Sequence, residues 1–224
     1  KTLQLLGHTP PILELPAHQV WYRIQRKTAR RDSVRHKGYI LAPPGGLAGR
    51  FDLTDEATAY LADSPETALY ESLFRREVRS CPLSRIAQRA LVSFETQASV
   101  RLVDLRGLEE RFPVLQSMRY ETSQAFAKAC RQQDLHGVLY ASAQHPSHSC
   151  VCFFNAGIER TKKVERVVLV QPETGLLHTA VVAAARSALR RAGHVRTTPE
   201  RRRADPNGWP PRVRPAGAPC CASR

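Results

Sequence analysis

The chain has 224 residues, of which 42% are hydrophobic and 24% charged, and it carries a formal net charge of +14. These are values of an ordinary globular protein with one sizeable domain, and no apolar run approaches the roughly 20 residues of a bilayer-spanning helix. Such a basic balance favours an anionic ligand or partner (a dinucleotide, RNA or an acidic protein), but no zinc-finger spacing, RNP-like motif or compact basic helix accompanies it, so nucleic acid is not expected as the direct partner.

In chain order, "HQVWYRIQR" (18–26) reads as a strand rich in aromatic and β-branched residues. A basic, irregular stretch follows and ends in the Pro-Pro-Gly-Gly of a loop. "ATAYLA" (57–62) reads as a short strand. Ser64 then caps a helix, with Pro65 at its first position and Glu66 in its first turn, and the pattern carries that helix to about Val78. "ALVSFETQ" and "SVRLVDL" read as tightly joined strands, and "GLEERFPVLQS" as a short helix broken at Pro113. "TSQAFAKACRQQ" (122–133) predicts a helix capped by Thr122 or Ser123. "GVLYASA" (137–143) and "SCVCFFN" (149–155) predict adjacent strands, "VERVVLV" a last strand, and residues 179–193 a last helix ending at Gly193.

Several strands follow one another directly and no regular βαβ repeat emerges, which favours an α+β fold with a mixed sheet and flanking helices. The domain is read as residues 1–193. From His194 onward six prolines and seven arginines replace the aliphatic residues, with a net charge of +5 that leaves +9 on the body. A disordered tail is expected over 194–224. The chain opens on Lys1, which reads as a trimmed or incomplete terminus, and no charged-then-apolar leader follows; a cytoplasmic location is expected.

Of the six cysteines, Cys150 and Cys152 lie two apart, with His145 and His148 nearby. One C-x-C pair without a second pair at zinc-like spacing is a poor metal signature, so reduced, buried thiols are expected and no metal.

Glu71 is the acid that calls for explanation. Ala68, Phe74 and Val78 fall on its side of the predicted helix, so it points toward a partly apolar face, where a carboxylate is costly unless something bonds it. Arg75 could neutralise it as an i,i+4 ion pair, and a ligand hydroxyl is the other reading. Arg23, buried on a strand, would need an anionic partner, because a guanidinium does not neutralise itself. Arg50 follows Gly49 in a turn whose donors could converge on a phosphate. Taken singly, a surface Arg23, a solvated Arg50, a core Tyr60 and a buried strand serine at Ser142 are equally ordinary readings.

Taken together, "WYRI", "GRFD" with "AYLADSPETALYE", "TSQAFAKACRQQDLHGVLYASA" and "CVCFF" resemble the RES domain, named for its arginine, glutamate and serine, over about residues 20 to 170. The resemblance implies the toxin half of a bacterial toxin–antitoxin pair with a small Xre-type antitoxin. It implies an enzyme that depletes NAD by cleaving its nicotinamide–ribose bond, by phosphorolysis or hydrolysis. A mono-ADP-ribosyltransferase of a protein target is the alternative reading, and a basic, non-enzymatic nucleic-acid-binding module the second. The implied fold is a split mixed β-sheet similar to that of ADP-ribosylating toxins, with NAD as substrate rather than cofactor and inorganic phosphate as a co-substrate of phosphorolysis; a homo-oligomer is left open.

Carried over by position, Arg23, Glu71 and Ser142 are the implied catalytic residues, and Arg50 and Tyr60 join them in holding NAD. Glu71 would stabilise the oxocarbenium-like transition state, the arginines would grip the diphosphate, Tyr60 would stack on or orient a ring, and Ser142 would hydrogen-bond within the cleft. Two departures stand out: Gln144 replaces a cation found in many relatives, and the loop from Arg26 to Gly49 is long and basic.

Overall fold

The computed structural model describes residues 7–78, 80–117 and 119–194. Among them the strands are β1 (Ile12–Leu15), β2 (Val20–Arg26), β3 (Val34–His36), β4 (Tyr39–Leu41), β5 (Ala59–Ala62), β6 (Arg89–Thr96), β7 (Val100–Asp104), β8 (Gly137–Ala141), β9 (Ser149–Phe153) and β10 (Thr161–Val168). The helices are α1 (Pro65–Ser72), α2 (Leu83–Ala87), α3 (Glu121–Arg131), α4 (Asn155–Glu159) and α5 (Thr179–His194). One eight-stranded sheet runs β1-β7-β8-β9-β5-β2-β6-β10, and β3 with β4 forms a separate hairpin. The β7–β8 pair is parallel and its neighbours are antiparallel, which makes the sheet mixed and the class α+β, as the sequence predicts. No helix among the described residues is long and apolar enough to cross a membrane.

The sheet is split. Strand β2 pairs with β6 over its whole length, Val20 to Arg26. With β5 on its other side it is paired only at Tyr22↔Ala62. Beyond Tyr22 the two strands part, and β2 presents an unpaired edge from Arg23 onward. Helix α1, which follows β5 directly, packs against β2 and α5 beside this opening. Leu69 and Leu73 are fully buried there with Ile24, Val181 and Ala184, each such leucine contributing about 1.5–3 kcal/mol of hydrophobic stabilisation. The Tyr70 hydroxyl donates to the Ala184 carbonyl at 3.0 Å, which locks the helix in rotation.

Several sequence expectations are corrected. Helix α1 ends at Ser72, not near Val78: the Ser72 hydroxyl turns back to the Ala68 carbonyl, and the Arg76 N–H is taken by the Gln144 side chain. Helix α3 starts after Tyr120, with no side-chain cap from Thr122 or Ser123. Pro113 begins a 3₁₀ turn, Pro113–Gln116, instead of breaking a helix, as suits a residue with fixed φ and no N–H. The basic stretch after β2 is not irregular throughout. It contains the β3–β4 hairpin, turned at Lys37 and Gly38 with φ of 47° and 89°. Gln25 pins that hairpin to β2, donating to the Gly38 carbonyl at 3.0 Å and accepting from the Ile40 N–H at 3.2 Å. Strand β1 and helices α2 and α4 were not expected. The tail read from residue 194 lies outside the described residues, apart from His194, which closes α5.

Candidate functional site

A cavity of about 280 Å³ lies in the split between β2 and β5, under α1. Tyr22, Arg23, Tyr60, Glu71, Tyr140 and Cys150 are among the residues that line it. The structure therefore brings Arg23, Tyr60 and Glu71 to one wall system, from a strand, its separated neighbour and the helix between them.

The position of Glu71 follows from the start of α1. The Ser64 hydroxyl accepts from the Thr67 N–H at 3.2 Å, and Pro65 occupies the first turn, so the helix begins at a defined residue. With Thr67 to Tyr70 buried, Glu71 and Ser72 come to the cavity side. Arg75 does not neutralise the acid: it lies beyond the helix and pairs with Glu77 at 3.5 Å. Ser142 does engage Glu71. Its hydroxyl donates to Glu71 Oε1 at 2.5 Å and accepts from the His145 and Gln144 N–H groups at 2.9 and 3.2 Å. With its oxygen accepting twice, the serine proton is committed to the carboxylate. The hydroxyl is thus a bracket between the loop 142–148 and the acid, and only 8% of Ser142 is exposed.

Arg23 bridges the split. Its Nη1 donates to the Tyr60 carbonyl at 2.7 Å, an acceptor left free where β5 and β2 part. Its Nε is buried with no hydrogen-bond partner. Burial is also the main influence on its charge, drawing the guanidinium pKa below its ordinary value. Arg50 is in a similar state: its Nε is buried and unpartnered, and its guanidinium carbon sits 5.9 Å from the centre of the Tyr140 ring. Arg50 is not part of the cavity wall itself but reaches it through Tyr140. Unsatisfied buried side-chain donors are rare in native proteins; of the three among the described residues, Trp21 Nε1, Arg23 Nε and Arg50 Nε, two belong to cations beside this cavity.

The Tyr60 hydroxyl is engaged within the protein. That hydroxyl donates to Asp52 Oδ1 at 2.9 Å and accepts from the Phe51 N–H at 2.8 Å, so it is used up in the turn that carries Arg50. Asp52 also accepts from the Gly49 N–H at 2.6 Å and the Thr58 hydroxyl at 2.8 Å. Only glycine fits at position 49, because a Cβ there would fall 2.5 Å from the Tyr60 hydroxyl oxygen. The Tyr60 ring still forms part of the cavity wall, and burial raises its phenol pKa well above the ordinary value.

Gln144 is not among the residues that line the cavity. Its Oε1 accepts from the Arg76 N–H at 2.8 Å and its Nε2 reaches Glu77 at 3.4 Å, so it ties down the segment after α1. The neighbouring histidines fasten the same loop to the other end of the helix. His145 Nδ1 meets the Thr67 hydroxyl at 2.8 Å, His148 Nδ1 meets Asp63 at 3.0 Å, and the two rings stack 3.9 Å apart. Among the described residues no group of three or more His, Cys, Asp or Glu is arranged to hold a metal ion. Cys130, Cys150 and Cys152 are buried free thiols and Cys81 is half-buried.

Sequence reasoning missed Tyr140 and Tyr22. Tyr140 lies two residues before Ser142 in the sequence strand 137–143, a period-2 signal that could have placed it in the site, although β8 itself ends at Ala141. Tyr22 had no such signal, since its exposure to the cavity comes from the parting of β2 and β5.

A family model for the RES domain matches residues 20–175. Among solved structures, the chain is similar to one in the crystal structure of the M. tuberculosis MbcT–MbcA toxin–antitoxin complex, with a TM-score of 0.50 and 16% identity, covering 69% of this chain and 85% of that one. At that identity the likeness bears on the fold. No curated protein matches.

Proposed function

Because the chain belongs to the RES-domain family, we propose that it is an enzyme that cleaves the nicotinamide–ribose bond of NAD, acting as the toxin of a toxin–antitoxin pair. The observation that carries this reading is the pairing of Glu71, bracketed by Ser142, with the unsatisfied guanidinium of Arg23 around one cavity. At about 280 Å³ the cavity lies near the lower end of small-molecule sites, roughly 300–1,000 Å³. It takes the nicotinamide riboside end of the dinucleotide, and the rest of NAD crosses the open side of the split.

The reaction asks for what these residues supply. As the C1′–N bond breaks, positive charge develops on the ribose, and the departing pyridinium takes the bonding pair and becomes neutral nicotinamide. No general acid is needed for that departure. Glu71 faces the developing charge and hydrogen-bonds a ribose hydroxyl, so it stabilises the transition state more than the ground state. Ser142 holds the carboxylate in place, which limits reorganisation during the step. Arg23 and Arg50 complement the negative charge of the diphosphate with their guanidinium groups. Tyr140 supplies an aromatic wall under Arg50, and the Tyr60–Asp52 turn sets where that arginine stands.

The antitoxin is proposed as a protein partner by extension from the MbcT–MbcA pair. A non-enzymatic basic module loses the feature that would favour it, an exposed Glu71 paired to Arg75, since Arg75 pairs with Glu77. The test is nicotinamide release from NAD by the purified chain, with Glu71→Gln as the matched variant. The wild type is expected to release nicotinamide, and the variant to fold normally and lose about 10²–10³-fold in kcat, as for removal of one preorganised group. A wild-type chain that leaves NAD intact with and without phosphate would sink the reading. Labelled ADP-ribose appearing on a protein, with little free product, would replace it by a transferase.

A further inference from the structure

Arg23 borders a second hollow. Where β2 has lost its neighbour, a space of about 350 Å³ opens along the strand, against Ile40–Pro43 at the end of the β3–β4 hairpin. Its wall carries Arg23, Arg26, Arg30 and Arg89, together with Asp32 and Ser33.

The charges here are unresolved by the protein. The β2–β6 register sets Arg26 directly opposite Arg89. Like charges facing each other across an antiparallel pair are destabilising. The arginine ion pairs among the described residues are Arg75–Glu77, Arg106–Asp104 and Arg131–Glu56, so none of the four arginines of this hollow is in one. Asp32, the acid in the wall, pairs with none of them either. Arg89 registers the crowding: burial first, then the positive charges of Arg26, Arg85, Arg30 and Arg23, hold its guanidinium pKa below the ordinary value. A separate observation points the same way, since the buried Nε–H of Arg23 has no acceptor. Ser33 adds a neutral donor, because its oxygen already accepts from the Arg30 N–H at 3.1 Å and its proton is free to turn inward.

We propose that this hollow is a phosphate-binding site, taking a phosphate dianion either as free inorganic phosphate or as a phosphomonoester carried by the substrate. A compact, doubly charged tetrahedral anion offers enough oxygens for several guanidinium forks at once and relieves the Arg26–Arg89 repulsion. A single carboxylate would satisfy one fork and leave the rest. Because Arg23 is common to both hollows, a bound phosphate lies next to the Glu71 cavity. If it is free phosphate, one of its oxygens forms the new C1′–O bond as nicotinamide leaves with the C1′–N pair; that consequence rests on the function proposed above, whereas the site does not.

The test is calorimetric titration of inorganic phosphate into the full chain at constant ionic strength, for the wild type, Arg30→Gln, Arg89→Gln and Lys163→Gln. Lys163 lines a different hollow beside the hairpin and controls for the loss of one positive charge. Arg30 is exposed, so its replacement leaves the core untouched. Phosphate is expected to bind the wild type, at least tenfold more weakly to each arginine variant, and within twofold of wild type to Lys163→Gln. No binding to the wild type, or equal weakening in all three variants, overturns the site in favour of a diffuse basic surface. Acceleration of NAD cleavage by phosphate, abolished in Arg89→Gln, identifies free phosphate as the occupant. A preference for NADP over NAD, abolished in Arg89→Gln, identifies the substrate's own phosphomonoester. The titration needs no turnover, so a chain inert toward NAD that binds phosphate through Arg89 would refute the proposed function and leave this site standing.

Discussion

Replacing Ser142 by alanine removes one oxygen that serves three bonds: a donation to Glu71 Oε1 at 2.5 Å, and acceptance from the His145 and Gln144 N–H groups. A hydrogen bond to a charged group contributes about 1.5–3 kcal/mol. If that energy holds Glu71 in its reactive position, kcat falls roughly 10- to 150-fold at about 1.4 kcal/mol per decade. Stability falls too. The His145 amide loses its bond to Ser142, while the Gln144 amide keeps Glu71 Oε1 at 3.4 Å. Losing a hydrogen bond at this half-buried site costs about 0.5–1.5 kcal/mol, and for a domain of this size Tm falls by about 2–4 °C per kcal/mol. Nicotinamide release and thermal unfolding, measured on the same preparations, separate the two effects. A variant with a lowered Tm but a kcat within twofold of wild type would refute the reasoning, because the hydroxyl would then organise the loop 142–148 and nothing more.

Arg23→Lys keeps the charge but loses the planar fork that bonds the Tyr60 carbonyl across the split, so KM for NAD is expected to rise tenfold or more in steady-state kinetics. Tyr60→Phe strands the Phe51 N–H and removes one donor from Asp52; calorimetry is expected to show a loss of about 1–3 kcal/mol, with weaker NAD binding as the Arg50 turn loosens. His136 has its pKa lowered from 6.5, by burial first and then by Arg160 and Arg101. The unfolded chain therefore takes up the proton more readily, and stability falls as pH drops below about 6.5, levelling off beneath the folded pKa. Urea unfolding at pH 7.5 and 5.5 measures this slope, which His136→Asn is expected to flatten.

The strands that form the middle of the sheet were legible because they are runs of aromatic and β-branched residues with clear ends, as in "VWYRIQR" and "SCVCFFN". The start of α1 was legible because Ser64, Pro65 and Glu66 are local signals. Its end was not, since no glycine or proline follows Ser72, and the stop depends on Gln144 capturing the Arg76 N–H from 68 residues away. The same distance problem hid the bracket on Glu71. Phe74 and Val78 share a helical face with Glu71 only in an extended helix; in the protein they lie beyond Ser72, and Ala68 alone of the three stands with Glu71 in the cavity wall. The Tyr60 ring lines the cavity, but nothing local in the sequence reveals that its hydroxyl bonds Asp52 and Phe51. The hairpin escaped notice because its strands are three residues each and sit in a run of charge.

The cavity wall draws on residues from Tyr22 to Cys150, and the strand order interleaves early and late segments, with β9 lying beside β5 and β5 beside β2. During synthesis, then, the first two-thirds of the polypeptide can emerge without a pocket to act on anything. The cavity wall is complete only once β9 lies against β5 and brings Cys150 to it.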